Sequence, residues 1–298
     1  LLFTFANSVW GVFLVRILQG AGWGAANTAV NTVVADLAPP SRRGEAMGLF
    51  GAILNVAMAV GPGMGLTLAL TNGFNVMFTV AFGMTAIGVL ASLPLRETRQ
   101  WSSDGEPRRA AGRPFLFFNR DVLQPAITLF LATLTLGTLT PFLPLYASPD
   151  KVGVFYALYS VALLTSRPIS GRLSDRLGRR AVLAPSILLT AAAMAVLSIS
   201  NELPVVLATA VLYGLGFGAV FPSLSALSVD VCHPAERGTA MATLTAAFDM
   251  GIAVGSMLFG LVINLFGFGM GFLGAAAMGI VAFGYFTMTA PSHQVADW

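Results

Sequence analysis

The chain is built from hydrophobic runs too long for the interior of a soluble domain. Stretches of 18 or more mostly apolar residues recur from end to end. Each is long enough to cross a hydrocarbon core of ~30 Å as a helix. A soluble helical protein would need a charged face on each helix, and these segments have none. Of the 298 residues 56% are hydrophobic and 10% charged, against about 25% charged in a soluble domain. The pattern specifies an all-α integral membrane protein. Nine spans are expected, over roughly 9–36, 45–70, 73–95, 122–147, 152–170, 181–199, 203–230, 238–263 and 267–289. The longest polar interruption, 96–121, reads as a central linker between residues 1–95 and residues 122–298.

Charge placement sets the expected orientation. Thirteen of the 16 Arg and Lys residues lie in or beside alternate loops, at 41–44, 96–121, 171–180 and 235–238. The exceptions are Arg16, Lys151 and Arg167, the last a helical turn before a basic loop. By the positive-inside rule the basic loops and the C-terminus face the cytoplasm of a plasma (inner) membrane.

An internal repeat runs through the chain. A shift of 194 residues carries "ADLAPPSRRGEAM" (35–47) onto "VDVCHPAERGTAM" (229–241), and "GAGWG" (20–24) onto "GLGFG" (214–218). It also carries Gly61 onto Gly255 and Gly73-Phe74 onto Gly267-Phe268. One offset held over about 55 residues is not chance pairing of small residues. The second copy has three expected helices, 122–199, before its "GLGFG" segment, whereas only "LLFTFANS" and the residue after it precede Trp10 in the first. The expectation is a twelve-span parent of six plus six. Roughly 70 residues, most of three helices, would be absent here, leaving three helices of the N-terminal bundle and six of the C-terminal one. The opening "LLFTFA" has no basic segment ahead of it, so it reads as a chain cut within an element and not as a signal peptide.

Several classes are disfavoured. The single cysteine, Cys232, excludes an intrachain disulfide, and His233 and His293 lack ligand spacing, so no metal site is expected. The only lysine, Lys151, sits in "SPDKVG" and not in a phosphate-binding loop. No Gly-x-Ser-x-Gly or paired acidic motif occurs. Neither an enzyme, nor a cofactor, nor a nucleic-acid partner is expected.

Three motifs resemble the major facilitator superfamily, and within it the proton-coupled drug antiporters. "GRLSDRLGRR" (171–180) is similar to that family's loop motif, with Gly171, Asp175, Arg176, Gly178, Arg179 and Arg180 in place. "RILQGAGWG" (16–24) resembles its fourth-helix motif. "GLFGAILNVAMAVGPGMG" (48–65) resembles the antiporter motif of the fifth helix through Gly48, Gly61, Pro62 and Gly65, with Ala57 and Leu66 where glycines are usual. The resemblance implies a monomeric secondary transporter of small molecules working by alternating access. It also implies efflux driven by a proton gradient, with no bound cofactor. The alternatives are a sugar or metabolite symporter or uniporter of the same fold, and a transport-inactive membrane sensor.

Individual residues carry the chemistry. A cation inside a span costs at least ~2.5–3.5 kcal/mol on insertion scales, so Arg16 is expected to face water or a partner. The resemblance implies that it assists proton transfer; the alternative is a structural tether to Gln19 or to backbone carbonyls. The repeat pairs Arg16 with Ala210, so its role belongs to one half, whereas Gly20, Gly24, Gly214 and Gly218 are expected to allow close helix packing in both. Asp249 pairs with Asn55 and is the one carboxylate expected deep in a span. A carboxyl removed from water can exchange a proton near neutral pH, which makes it a candidate proton or cation carrier; the alternative is a hydrogen-bonded packing residue. The resemblance implies that Asp175 of the loop motif caps a helix start near Gly44–Gly48. Arg176 or Arg179 is expected to pair with Asp230, latching the basic side shut. Thr133, Tyr156, Tyr159, Tyr213 and Phe248 are candidate pocket residues.

Overall fold

The computed structural model describes residues 2–5, 8–37, 53, 57, 60, 61, 63–94, 119–233 and 236–289. Helices account for nearly all of them: α1 (Leu2–Phe5), α2 (Val9–Leu37), α3 (63–72), α4 (Phe74–Ser92), α5 (Leu123–Tyr146), α6 (Pro149–Leu177), α7 (Arg179–Ile199), α8 (Leu203–Val231), α9 (Arg237–Phe266) and α10 (Phe268–Thr289). In a hydrocarbon solvent every backbone N–H and C=O must be satisfied within the segment, so a helix is what these runs can form. Among the described residues seven helices are long and apolar enough to cross a membrane, α4 to α10. The helix expected over 9–36 is present as the 29-residue α2. The span expected over 45–70 lies largely outside the described residues, as do Gly48, Asn55, Pro62 and the helix start at Gly44–Gly48. The chain forms two compact units, Leu1–Gly112 and Arg113–Trp298.

The repeat is visible in the elements themselves. Shifted by 194, Val9–Leu37 falls residue for residue on Leu203–Val231, and the start of α4 falls on the start of α10. The turns ahead of α4 and α10 have the same backbone: Gly73 at φ 84, ψ 162, and Gly267 at φ 85, ψ 169. Only glycine adopts that region without strain, so a single residue ends one helix and starts the next.

In the N-terminal unit α1 lies against α2 and α4, with Phe3 stacked on Phe78 at a centroid distance of 5.4 Å. In the C-terminal unit α6 packs on α8, α5 on α9, α8 on α7, and α10 on α7 and α5. Lipid supplies no hydrophobic drive between helices, so contact depends on close fit at small residues. Glycine makes the fit. A Cβ at Gly214 would lie 2.7 Å from the Ala162 Cβ, and one at Gly218 would lie 2.9 Å from the Leu163 carbonyl oxygen, both on α6. Gly216, on the other side of α8, would meet the Ser186 carbonyl oxygen of α7 at 2.8 Å. Gly251 and Gly255 of α9 press on Phe130–Leu134 of α5, and Gly137 of α5 presses back on Ile252. Gly20 of the first copy has open space at its Cβ position among the described residues, so the packing of Gly214 has no described counterpart there.

Several buried threonines satisfy their hydroxyls within their own helix. Thr128, Thr133, Thr138 and Thr209 are fully buried and each donates to a carbonyl four residues back, at 2.8–2.9 Å. Such back-bonding hides a polar group from lipid at no cost in helix pairing.

Gly214→Leu is expected to destabilise the protein by about 1–3 kcal/mol through overpacking. Gly284→Ala, with nothing within 4 Å of its Cβ position, should change stability by under about 0.5 kcal/mol. Thermal unfolding of the purified variants in detergent measures both.

Candidate functional site

Helix α9 has three distinct faces. Ala240, Leu244, Gly251 and Gly255 form its buried face. Met250, Val254, Met257 and Leu261 form a second stripe of large apolar side chains, exposed by 54, 39, 78 and 59%, as a lipid contact requires. The third stripe is small and polar: Ala242, Thr245, Asp249, Ala253 and Ser256 fall on one side at helical spacing. Asp249 is exposed at its centre, on a side of the helix different from the Met–Val–Met–Leu stripe. Thr245 donates to the Met241 carbonyl at 2.9 Å and Ser256 to that of Ala253 at 2.8 Å, so neither is spent on the carboxylate. No hydrogen bond or ion pair of the Asp249 carboxylate is found among the described residues.

A row of rings crosses the same unit. Tyr159 lies 6.1 Å from Tyr213, Tyr213 5.6 Å from Phe217, Phe217 6.3 Å from Phe248, and Phe248 5.3 Å from Phe221, centroid to centroid. The row links α6, α8 and α9. Tyr213 is fully buried, its hydroxyl 2.8 Å from Thr135 Oγ1. Thr133 is also fully buried, against Gly251. These two are therefore packing residues and do not line an open pocket as expected: each hydroxyl already has its partner inside the helix seam. Tyr156, 6% exposed, bonds the Thr140 carbonyl at 3.3 Å. Tyr159 and Phe248 are half-buried.

The loop motif closes one end of the unit. Gly178, at φ 89 and ψ 154, is the whole connection between α6 and α7. That turn brings Arg179 Nε to 3.1 Å from Asp230 Oδ2 on α8, while Arg179 Nη1 donates to Ser174 Oγ at 3.1 Å. Arg180 Nη2 donates to the Thr287 carbonyl of α10 at 2.6 Å. Arg179 thus makes the pairing with Asp230 that was expected of it or of Arg176. The pair joins two helices of one unit. Arg176 and Gly171 lie in α6; the side chain of Asp175 lies outside the described residues.

In the other unit Arg16 Nη1 donates to Gln19 Oε1 at 3.0 Å, and the guanidinium lies 5.2 Å from the Phe3 ring centroid. This is the tether geometry. Gly61 meets nothing within 4 Å, and Gly65 approaches the Met77 sulfur at 3.9 Å.

Two features escaped the sequence reading. Asn119 is 3% exposed. Its N–H donates to Thr243 Oγ1 and its Nδ2 to Glu236 Oε2, both at 3.0 Å, and its Oδ1 accepts from the Asp121 N–H at 2.9 Å. It pins the entry to α5 onto α9. An Asn two residues before an Asp ahead of a helix was the available signal. Arg167 was set apart from the basic loops but given no role, and its Nε is buried without a hydrogen-bond partner among the described residues.

Comparison with known proteins settles the family. The sequence profile described as Major Facilitator Superfamily matches twice, over residues 1–148 and 126–297. The chain belongs to the major facilitator superfamily. This is a family of multi-pass membrane transporters and not of enzymes. An uncharacterised MFS-type transporter of Methanocaldococcus jannaschii is 23% identical over 277 residues, covering 90% of this chain and 72% of the relative. Multidrug resistance protein 2 of Bacillus subtilis is 24% identical over 159 residues, 52% of this chain and 40% of that protein. The solved structure of the human organic anion transporter MFSD10 (TETRAN) superposes with a TM-score of 0.60 at 22% identity, covering 95% of this chain and 72% of that one. That likeness confirms the all-helical superfamily fold.

Gly178→Ala is expected to cost about 1–3 kcal/mol, because its backbone region is essentially glycine-only. Asp230→Asn should cost no more than about 1 kcal/mol, since the pair is 27% and 44% exposed. Chemical denaturation in detergent separates the two.

Proposed function

We propose that the chain is part of a secondary transporter that exports small molecules in exchange for protons by alternating access. The observation that carries this reading is the placement of Asp249: a carboxylate within a span, on the small and polar side of α9. Charge in a span is retained where it meets a wet path or a partner, and such residues mark ion and proton pathways. The drug-resistance name of the Bacillus relative supports efflux of drugs or metabolites. The antiporter-like residues Gly48, Gly61, Pro62 and Gly65 support the same direction.

Arg16 and Gln19, held together on α2, serve in this reading to orient charge beside the proton path, with Asn55 as the uncharged counterpart of Asp249 in the first copy. The Gly178 turn and the Arg179–Asp230 pair stiffen one end of the C-terminal unit so that it moves as a body. Asp175 completes the latch. The three-plus-six division at the 96–121 linker, the basic loops facing the cytoplasm and a monomeric state belong to the same proposal.

Asp249→Asn keeps the side chain's shape and removes its proton. In inverted vesicles carrying the intact protein, ethidium transport driven by an imposed pH gradient is expected to fall to the level of empty vesicles, with membrane insertion unchanged. Gradient-dependent transport equal to wild type would refute the proton role.

A further inference from the structure

Arg167 sits inside the apolar stretch Pro149–Ser174 of α6, seven residues or about 10 Å from its C-terminal end. The side chain is half-buried, and its Nε is sealed from solvent with no hydrogen-bond partner among the described residues. A buried guanidinium donor left unpaired is costly, because an ionised group loses its hydration without replacement. One carboxylate of the same unit, Asp230, is taken by Arg179. Asp249 lies on another helix, on its small and polar stripe.

The neighbouring groups are neutral hydroxyls, which bring no negative charge to answer the guanidinium. Tyr159 stands eight residues earlier on α6, about 12 Å of helical rise. On α8, Ser223 and Ser225 also have buried hydroxyls without a partner among the described residues. Gly214 meets Tyr159 and Ala162, and Gly218 meets Leu163 and Ser166, so α6 and α8 run in the same direction with these levels in register. Ser225 lies seven residues beyond Gly218, on the same stripe of α8. Arg167 lies four residues beyond Leu163. By helical rise alone the two levels differ by about 4–5 Å along the axes. The guanidinium Nε and a hydroxyl on adjoining helices thus both lack a partner among the described residues, and an oxyanion accepts from both. Tyr159 is also a member of the aromatic row, which offers an apolar surface beside the charge.

We propose that Arg167 is a binding residue for a small aromatic organic anion, whose carboxylate takes the guanidinium and whose ring lies against Tyr159. The assignment deepens the transport reading and rests on it for its role: the transported molecule would carry its negative charge to α6. A planar, forked donor matches a carboxylate in two parallel hydrogen bonds, which a lysine ammonium does not reproduce.

The test is equilibrium binding of salicylate and of its neutral analogue salicylamide to the intact purified protein in detergent, without any gradient. Wild type is expected to bind salicylate at least about tenfold more tightly than salicylamide, the worth of one charge-assisted hydrogen bond or more. Arg167→Gln should erase that preference and Arg167→Lys should restore part of it. Thermal unfolding establishes that each variant is folded. Asp249→Asn should bind salicylate as wild type does, so a failure of the proton role leaves this site standing. Equal binding of the two compounds by wild type overturns the proposal, and so does an undiminished preference in folded Arg167→Gln. Native mass spectrometry supplies the last arm. If Arg167→Gln sheds bound phosphatidylglycerol and leaves salicylate binding intact, the anion is a lipid headgroup and the proposal is overturned.

Discussion

Close approach of helix backbones at glycine holds the C-terminal unit together. In water an apolar face is driven inward whatever its detailed shape; in lipid the surroundings are as apolar as the face, and only fit distinguishes protein contact from lipid contact. Gly214 and Gly218 bring α8 onto α6, Gly216 brings it onto α7, and Gly251 and Gly255 bring α9 onto α5. Threonines complete the seams by returning their hydroxyls to their own helices. A polar side chain that these seams do not absorb then has physical meaning, since nothing in lipid would favour it.

Seen this way, the charged residues of the molecule fall into kinds. Arg179 with Asp230, and Arg16 with Gln19, have found partners close by and stiffen their own units. Asn119 fastens the entry of α5 to α9. Asp249 and Arg167 differ: one carboxylate and one guanidinium sit within spans, the first on a polar stripe and the second with a sealed, unpaired nitrogen.

Much of this was legible in the residues. Hydrophobic length placed five of the six helices of the C-terminal unit to within a few residues, because hydrocarbon thickness fixes how much chain a span needs; α6 runs seven residues past its expected end at 170, into the basic loop motif. The 194-residue repeat foretold that α2 and α8 would share length and that Gly73 and Gly267 would share a turn. The loop motif pointed to Arg176 or Arg179 as the partner of Asp230, and the structure has Arg179 there. The fates of Thr133 and Tyr213 did not, because a hydroxyl in a span can face a cavity or bond within a seam, and spacing does not separate the two. Arg167 was hidden by its neighbours: four more arginines follow within thirteen residues, and only packing reveals that its nitrogen is sealed.

The central claim is that α9 shows one side to water and another to lipid. Single cysteines placed along it, in a Cys232→Ala background and treated with a membrane-impermeant thiol reagent, test this directly. The account predicts labelling at residues 242, 245, 249, 253 and 256, and protection at 250, 254, 257 and 261. Labelling of the Met–Val–Met–Leu stripe with protection at 249 would contradict it.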